Sequence, residues 1–360
     1  MGLLLPLALD AMGGDKAPAC VVAGAKLAHK THPNLRFVFY GDEQQLQPLI
    51  EKHRLSSDLY EIVHTPDRIA MDVKPATAIR RGKSSSMRLA IDAVKAGQAC
   101  AAVSAGNTGA LMAMSKIVLG SLPGIYRPAI VAFVPAINRK IVMLDLGANL
   151  QCTANELVQF AYMGDAFAKA VLGLSNPKVG ILNVGAEEEK GHEEVKNAAQ
   201  MLKDDNTPIN FGGYVEGHDI VEGTVDVVVT DGFTGNIALK TAEGTAKYIR
   251  QIIKDAVDGS FLAKLGFMLA KPAMVTIKRK MDPRSYNGAM FIGLNGVTVK
   301  SHGGSDAKGF ANAIRVAVKL VEQDINNKII EELSQTGITA PVASSASVEM
   351  PEEYSSESLN

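Results

Sequence analysis

Six short segments of the sequence combine glycine with small polar residues, and each follows an apolar run of strand length. They are ALDAMGGD at 8–15, SAGNTG at 104–109, LDLGAN at 144–149, NVGAE at 183–187, TDGFTGN at 230–236 and KSHGGSD at 300–306. Glycine lets the backbone approach a ligand, and exposed amides at the start of a helix favour an anion. In an open parallel sheet, such turns gather at the carboxyl ends of the strands, where ligands bind. The six turns together therefore predict a phosphate-type site.

Each turn taken alone also has a structural explanation, because Asn, Ser, Thr and Asp are ordinary helix N-caps. Two familiar nucleotide-binding motifs are missing. The sequence has no P-loop, and no convincing GxGxxG follows the first apolar run. The absence of these motifs therefore argues against a kinase-like or a simple dinucleotide-binding function.

Lys190 is a candidate for catalysis because a lysine on a strand-end turn could bind phosphate or a developing oxyanion. A solvated lysine accounts for the same position equally well. Around it, the carboxylates of 187–194 and His192 suggest a metal, but Lys196 stands where an HExxH motif needs its second histidine. Glutamates at a helix start are explained by the helix dipole, so we expect no metal site.

Two further side chains could take part in chemistry. Cys152 lies near a helix start, where a thiolate is favoured, and could carry an acyl group. A small buried filler is the preferred interpretation, because no histidine neighbours it in sequence. Of the seven histidines, only His302 lies on a glycine-rich strand-end turn.

The segment 246–284 is strongly basic, with nine Lys or Arg against three Asp. Within it, FLAKLGFMLA at 261–270 is an apolar stretch with a single lysine. A helical hairpin with an apolar tip and basic flanks would suit an anionic membrane surface. An acidic protein partner, or burial in a dimer interface, would explain the same pattern.

Strand-length apolar runs alternate with helical patterns almost throughout, which predicts βαβ units and a mainly parallel sheet. Predicted strands cover 3–9, 35–40, 99–104, 129–134, 141–146, 178–184, 225–230 and 297–300. Predicted helices include 86–96, 155–172 and 310–326. The fold class is therefore α/β, with helices flanking the sheets.

Length and composition set the remaining bounds. A chain of 360 residues exceeds the usual single domain, so we expect two: 1–145 with 290–333, and 146–289. The tail 334–360 is predicted to be disordered. A net charge of −1 argues against a general nucleic-acid binder, and three scattered cysteines fit a reducing cytoplasm. No run approaches the roughly 20 apolar residues of a membrane span, so a soluble protein is expected.

Together the motifs resemble the soluble phosphate acyltransferase family, which converts acyl-acyl carrier protein and inorganic phosphate to acyl phosphate. The resemblance extends from about residue 7 to residue 326. Besides the six turns, it is carried by AIRRGKSSSM at 78–87, RPAI at 127–130, VVTDGFTGNIALK at 228–240 and KSHGGSDAKGF at 300–310.

The resemblance implies a fold like that of phosphotransacetylase and the isopropylmalate dehydrogenases, with two α/β domains flanking a cleft, as a homodimer. It also implies acyl carrier protein and inorganic phosphate as partners, long-chain acyl groups and no cofactor. A cytoplasmic enzyme held peripherally at the inner face of the membrane is expected. There a membrane glycerol-3-phosphate acyltransferase would use its product for phospholipid synthesis.

The resemblance also implies roles for particular residues. Lys190 and Asn236 are the leading active-site residues, and His302 replaces the arginine of the corresponding phosphotransacetylase turn. Phosphate or substrate binding is expected of Asp10, Gly13, Gly14, Asp15, Lys83, Ser86, Ser104, Gly106, Asn107, Thr108, Asp145, Asn149, Asp231, Gly235 and Ser301. Contact with membrane or carrier protein is expected of Phe261, Leu262, Lys264, Leu265, Phe267, Met268, Lys271, Lys278 and Arg279.

The predicted mechanism needs no covalent acyl-enzyme, since phosphate is a nucleophile and a thiolate leaves readily. Lys190 and the amides near Asn107 and Thr108 would hold phosphate. Asn236 and His302 would polarise the carbonyl or assist departure of the thiolate. The alternatives are a short-chain phosphotransacetylase that uses coenzyme A and a non-catalytic membrane-surface scaffold. A decarboxylating dehydrogenase is weaker, because no clustered aspartates are placed to bind a metal.

Overall fold

The computed structural model describes residues 5–204, 207–259, 261–270, 272 and 282–334. The strands are β1 (Leu7–Asp10), β2 (Phe37–Gly41), β3 (Tyr60–His64), β4 (Ala101–Ser104), β5 (Ala129–Pro135), β6 (Lys140–Leu144), β7 (Lys178–Leu182), β8 (Asn210–Val215), β9 (Val227–Val229), β10 (Ala289–Ile292) and β11 (Val297–Lys300).

The helices that position the site begin directly after strands in several places. They are α1 (Ala19–Thr31), α2 (Glu43–His53), α3 (Pro75–Arg81), α4 (Ser86–Lys95), α5 (Thr108–Leu119), α6 (Ala154–Leu172), α7 (Glu193–Leu202), α8 (Gly217–Glu222), α9 (Gly232–Asp258), α10 (Phe261–Leu269), α11 (Ala307–Glu322) and α12 (Ile325–Ser334).

The eleven strands of the described residues form one sheet, in the order β3-β2-β1-β4-β11-β10-β5-β6-β9-β7-β8. Neighbouring strands are parallel except at β11-β10, β10-β5 and β5-β6. The predicted α/β class with a mainly parallel sheet is confirmed. The central strands are buried along their length, as in β1 and β9, which explains their nearly continuous apolar sequences.

The three antiparallel pairings divide the parallel strands into two sets of opposite direction. Strands β1, β2, β3, β4 and β11 form one set, and β6, β7, β8 and β9 form the other. The carboxyl ends of the strands in the first set therefore lie along one edge of the sheet, and those in the second set lie along the opposite edge. An edge here means the line along which strands begin or end, not an outer strand. The expectation that all six glycine turns gather at one edge is wrong. They form a first group, after β1, β4 and β11, and a second group, after β6, β7 and β9.

Helix α9 is the longest helix among the described residues, with 27 residues, and extends about 40 Å. Within it only Gly232 and Gly235 are buried. Large apolar side chains on it are exposed, including Ile237 at 50% and Tyr248 at 68%. Such a helix lacks the packing that normally stabilises a helix face, which makes it a candidate contact surface.

The predicted division into 1–145 with 290–333 and 146–289 stays a prediction, since the sheet runs through both units. Nearly all of the predicted tail 334–360 lies outside the described residues. Within the part of the chain that the structure describes, no helix is both long and apolar enough to cross a membrane.

Candidate active site

Asp10 ends β1 and is buried at the centre of the first group of turns. The Ser86 hydroxyl donates to its Oδ1 and the Ser104 hydroxyl to its Oδ2, each at 2.6 Å. Ser104 Oγ in turn accepts the N–H of Gly106 at 3.0 Å. Burial raises the pKa of Asp10, and the two hydroxyl donors oppose that rise. These four predicted residues form one buried network that fixes the turns after β1 and β4.

The turns after β1 and β11 touch through the backbone. Asp15 N–H donates to the carbonyl oxygen of Gly303 at 2.9 Å. A Cβ at Gly13 would lie 2.3 Å from Asp10 Oδ2, and Gly14 has a φ of +101°. Glycine is required at both positions because neither has room, or a suitable backbone conformation, for a side chain. The predicted Gly13, Gly14 and Asp15 thus belong to the first group.

Asn287 holds the turn after β11 in place. Its Nδ2 donates to Ser301 Oγ at 2.8 Å and to the Gly309 carbonyl oxygen at 2.8 Å. Its Oδ1 accepts the backbone N–H of His302 at 2.8 Å. Asn287 could not be predicted from the sequence, because a lone asparagine before glycine is typical of any turn. The predicted Ser301 is buried within this network and positions the turn.

The His302 side chain is exposed at the tip of the same turn. Its Nδ1 accepts the N–H of Gly304 at 3.1 Å, which places the proton of the neutral ring on Nε2. Partial burial and the charges of Lys300, Lys240 and Lys247 lower the pKa of His302, while Glu243 opposes them. His302 is therefore a neutral hydrogen-bond donor at pH 7.

Lys300 is the last residue of β11, and only 8% of its surface is exposed. Its Nζ donates to the carbonyl oxygen of Ser301. Burial lowers its pKa to about 8, although the charges of Asp10 and Asp15 act in the opposite direction. Nothing in the sequence indicates this burial, since lysines are almost never fully buried unless paired.

The predicted phosphate-binding residues of the turn after β4 and of the segment before α4 differ in their roles. The side chain of Asn107 caps α5 by accepting Ala110 N–H, and it donates to the carbonyl oxygens of Met71 and Val73. That amide is occupied by structural hydrogen bonds. Thr108 is exposed at the first turn of α5, where backbone amides are free to face an anion.

The predicted Lys83 lies near this group but at the surface. It is exposed three residues before Ser86, whose hydroxyl contacts Asp10. The structure gives it a place beside the first group without a contact to the buried network.

Asp145 organises the second group of turns from a fully buried position after β6. Its Oδ1 accepts the N–H of Ile130 at 2.9 Å, and its Oδ2 accepts the N–H of Asn149 at 2.7 Å. The side-chain amide of Asn149 also donates to Asp145 Oδ2 and to the Pro128 carbonyl oxygen. Both predicted residues are therefore committed to holding the turn, and their side chains are buried.

The start of α9 packs directly on that turn. Asp231 is the N-cap and accepts from both the N–H and the hydroxyl of Thr234. Gly232 N–H donates to the Asn149 carbonyl oxygen at 2.7 Å, and a Cβ at Gly235 would lie 1.9 Å from the carbonyl oxygen of Asp145. The predicted Asp231 and Gly235 thus set the position of α9 rather than present groups to a ligand.

Asn236 is exposed on the first turn of α9 and faces Gly147, whose Cβ position is 3.8 Å from Asn236 Oδ1. It shares a helix face with Lys240, Glu243 and Lys247, which follow at helical spacing. Together with Lys300, those three side chains influence the pKa of His302. The part of α9 that carries them therefore lies near His302, and Asn236 precedes Lys240 by one turn of the same helix.

Lys190 lies on the turn after β7 and is exposed, with 52% of its side chain accessible. Its Nζ forms an ion pair with Glu187 Oε1 at 2.7 Å, which raises its pKa. The loop is shaped by Asn183, which donates to the Lys190 carbonyl oxygen at 3.0 Å. Because β7 pairs with β9, this turn lies on the same sheet edge as the turn before Asn236.

Cys152 is not suited to nucleophilic catalysis. It is half-buried beside Asn149, and burial together with the charges of Asp145 and Glu156 raises its thiol pKa to about 12. A thiol with that pKa is protonated at neutral pH and does not attack a thioester. The structure supports the prediction that Cys152 fills space.

The predicted contact segment is described in part. Residues 261, 262 and 265 belong to α10, and Lys264 is exposed. Phe267 is 38% and Met268 63% exposed. Lys271, Lys278 and Arg279 lie outside the described residues.

A family model described as "Fatty acid synthesis protein" matches residues 5–328. Among curated proteins, the phosphate acyltransferase of Rhodospirillum centenum is 56% identical over 345 residues, covering 95% of this chain and 97% of that protein. The phosphate acyltransferase of Gluconobacter oxydans is 50% identical over 351 residues, covering 97% and 95%. The match therefore extends over nearly the full length of both chains.

Solved structures resemble this chain at the level of the fold. A phosphotransacetylase from Streptococcus pyogenes superposes with a TM-score of 0.60 at 17% identity, covering 88% of this chain and 94% of that one. A putative 4-hydroxythreonine-4-phosphate dehydrogenase from Salmonella typhimurium gives 0.54 at 14% identity, covering 88% and 100%. The fold predicted from the sequence, shared by phosphotransacetylases and dehydrogenases, is confirmed.

Proposed function

This chain belongs to the phosphate acyltransferase family, and from that premise we propose that it transfers a long-chain fatty acyl group to inorganic phosphate. The family assignment makes the protein an acyltransferase of fatty acid and phospholipid synthesis. The donor in our proposal is acyl-acyl carrier protein, and the product is acyl phosphate. The observation that carries the proposal is the 56% sequence identity to a phosphate acyltransferase over nearly the full length of both chains. It is supported by the turns after β1, β4 and β11, whose backbone amides suit an anion.

In the proposed reaction, an oxygen of inorganic phosphate attacks the thioester carbonyl carbon. A C–O bond forms, the C–S bond breaks, and the carrier-protein thiolate leaves and takes up a proton. No acyl-enzyme is formed, in keeping with the high pKa of Cys152. The enzyme's contribution is to orient the two reactants and to stabilise the oxyanion of the tetrahedral intermediate.

We assign the stabilisation of the reacting groups to three exposed side chains. Asn236 lies at the start of α9, His302 on the turn after β11 and Lys190 on the turn after β7. The side-chain amide of Asn236 makes no hydrogen bond within the described residues, so it is available to polarise the thioester carbonyl. His302, with its proton on Nε2, is available to donate to the carbonyl oxygen or to the departing sulfur. Lys190, on the second group of turns, would exchange its partner Glu187 for the developing oxyanion of the thioester.

We assign the contact with carrier protein and membrane to α9 and α10. Their exposed apolar side chains lie beside basic ones, a combination that suits an acidic protein or an anionic lipid surface. Pairing of two copies through the exposed face of α9 would give a homodimer. A cytoplasmic enzyme at the inner membrane face could then pass acyl phosphate to a membrane glycerol-3-phosphate acyltransferase.

The donor is tested by incubating the protein with palmitoyl-acyl carrier protein or palmitoyl-coenzyme A, with and without phosphate. Hydroxylamine traps any acyl phosphate as the hydroxamate. We expect phosphate-dependent trapping from the carrier-protein donor and at most slow trapping from palmitoyl-coenzyme A. Coenzyme A thioesters, short-chain ones included, that react as fast as the carrier-protein donor would identify a phosphotransacetylase. The absence of acyl phosphate with every donor would contradict the assignment as an enzyme.

The role of Lys190 is tested by Lys190→Ala beside the matched control Lys203→Ala. Both lysines are exposed and each pairs with a glutamate of the same loop, Glu187 or Glu188. We expect Lys190→Ala to lower kcat by about 10²-fold or more, and Lys203→Ala to keep nearly normal turnover. Equal effects of the two substitutions would remove Lys190 from the mechanism.

A further inference from the structure

Lys300 is a buried ammonium without a contacting carboxylate among the described residues. Its exposed fraction is 8%, and its one hydrogen bond there runs from Nζ to the Ser301 carbonyl oxygen. A lysine ammonium has three N–H donors, so two are left without a protein acceptor in that part of the chain. Burying such a charge is costly unless an anion or further acceptors are supplied.

The acidic groups near Lys300 do not serve as the missing acceptors of its ammonium. Asp10 acts on Lys300 from a distance, but its two carboxylate oxygens already accept the hydroxyls of Ser86 and Ser104. Asp15 also acts from a distance, and its carboxylate lies against Gly304, whose Cβ position is 3.6 Å from Asp15 Oδ2. Neither forms an ion pair with Lys300 within 4.0 Å.

The surroundings of Lys300 are suited to an anion with several oxygens. His302 and Lys240 contribute donors or positive charge nearby. The backbone amides of Gly14 and Gly303 donate to no other group in the described ranges, and the Cβ position of Gly14 lies 3.0 Å from the Gly303 carbonyl oxygen. A compact tetrahedral anion can accept from an ammonium and from backbone amides at the same time.

We propose that Lys300 is a phosphate-binding residue, its buried ammonium donating to an oxygen of inorganic phosphate held against the turn that contains Gly303. This proposal rests on the proposed function and names the residue that receives its nucleophile. It gives the first group of turns the task of holding phosphate. The face of α9 that carries Asn236 would then present the thioester to it. A lysine that remains largely charged near pH 7, with its pKa of about 8, suits this role.

The kinetic test compares Lys300→Met and Lys300→Arg with the control Lys26→Met, whose lysine also donates to a backbone carbonyl but is only half-buried. We expect Lys300→Met to raise the KM for phosphate about tenfold or more, with the KM for acyl donor nearly unchanged. Lys300→Arg keeps the charge and should recover part of the loss. A folded Lys300→Met enzyme with an unchanged KM for phosphate would overturn the proposal.

A second test uses the wild-type protein and needs neither turnover nor a variant that folds. Cyanate modifies neutral lysine amines, and mass spectrometry measures the rate at Lys300 and Lys26 with and without inorganic phosphate. We expect phosphate to protect Lys300 but not Lys26. Protection without acyl transfer would retain the anion site and reject the proposed function. Absence of protection at phosphate concentrations that saturate turnover would reject the site and retain the function.

Discussion

At Asp10, one buried carboxylate holds the turns after β1 and β4 together through two hydroxyl donors. Removing one donor takes a hydrogen bond from a buried carboxylate. We therefore expect Ser104→Ala to lower the free energy of unfolding by about 1–3 kcal/mol, measured by urea denaturation. The control is Ser84→Ala, because Ser84 also donates to an aspartate, Asp67, but at the surface. An equally small loss in both variants would show that the Asp10 network does not stabilise the site.

His302 provides a prediction on pH. Its pKa is lowered, so the neutral form that keeps Nδ1 as acceptor for Gly304 persists below the ordinary histidine pKa. Activity that needs neutral His302 should stay constant as pH falls toward that value and decline only below it.

The matched variant is His302→Asn, whose side-chain oxygen can still accept from Gly304 N–H but lacks Nε2–H. We expect kcat/KM to fall by about 10²-fold and the decline at acidic pH to disappear. An identical acidic decline in the variant would assign that titration to another group.

Several residue roles could be predicted from the sequence and others could not. The glycine turns marked Asp10, Ser104 and Asn236 because small polar residues after an apolar run are a local signal. Asn287 and Lys300 gave no such signal. The hydrogen bonds of Asn287 reach residues 14 and 22 positions further along the chain, and the burial of Lys300 depends on neighbouring turns.

At the scale of single elements, the close packing of α9 on the turn after β6 depends on Gly235. A Cβ there would lie 1.9 Å from the backbone oxygen of Asp145. We expect Gly235→Ala to displace α9 and to lower the unfolding free energy by about 1–3 kcal/mol, with a loss of activity.

Gly244 offers the control on the same helix, because a Cβ there meets no atom within 4 Å. Gly244→Ala should raise stability by about 0.5–1 kcal/mol through the higher helix propensity of alanine. Thermal and urea unfolding of both variants measure the difference. A stabilised Gly235→Ala protein would contradict the close packing described here.

The pairing of α6 with α12 gives a second prediction on pH. Lys169 Nζ contacts Asp165 at 2.5 Å and Glu332 at 3.0 Å, and burial raises the pKa of both carboxyls. A carboxyl whose pKa is raised in the folded protein stabilises it below the unfolded pKa. That contribution is lost as pH rises through the folded pKa.

Asp165→Asn removes one of these titrating groups. We expect the stability of the wild-type protein relative to Asp165→Asn to decrease as pH rises from about 4 to 7. Urea unfolding midpoints at several pH values measure the trend, with Asp92→Asn as control, because its ion pair with Arg88 leaves the carboxylate more exposed. A difference that stays constant over this pH range would show that Asp165 does not titrate differently in the folded state.

At the scale of the whole molecule, local patterns predicted the alternation of strands and helices but not the direction of every strand. Strands β3, β8 and β10 were not predicted. Strand β8 contains two glycines and a polar start, which weaken its pattern. The antiparallel pairings of β5 and β10 reverse the direction of the second set, and strand direction is a property of long-range pairing. The separation of the six turns into two groups followed from that reversal.

Helix α9 connects the two groups of turns. The two groups of turns end strands of opposite direction, and α9 begins at the second group and carries charged side chains that act on His302 of the first. We propose that phosphate is held at the first group and that the thioester is presented from the α9 face. Phosphate itself then attacks the thioester within this enzyme.

This attack is tested by a single turnover of palmitoyl-acyl carrier protein with inorganic phosphate labelled with ¹⁸O at every oxygen, followed by mass spectrometry of the product. We expect palmitoyl phosphate that retains all of the phosphate label, formed at the rate at which the thioester is lost. Loss of the thioester to unlabelled free palmitate, with no labelled palmitoyl phosphate at any time, would contradict it.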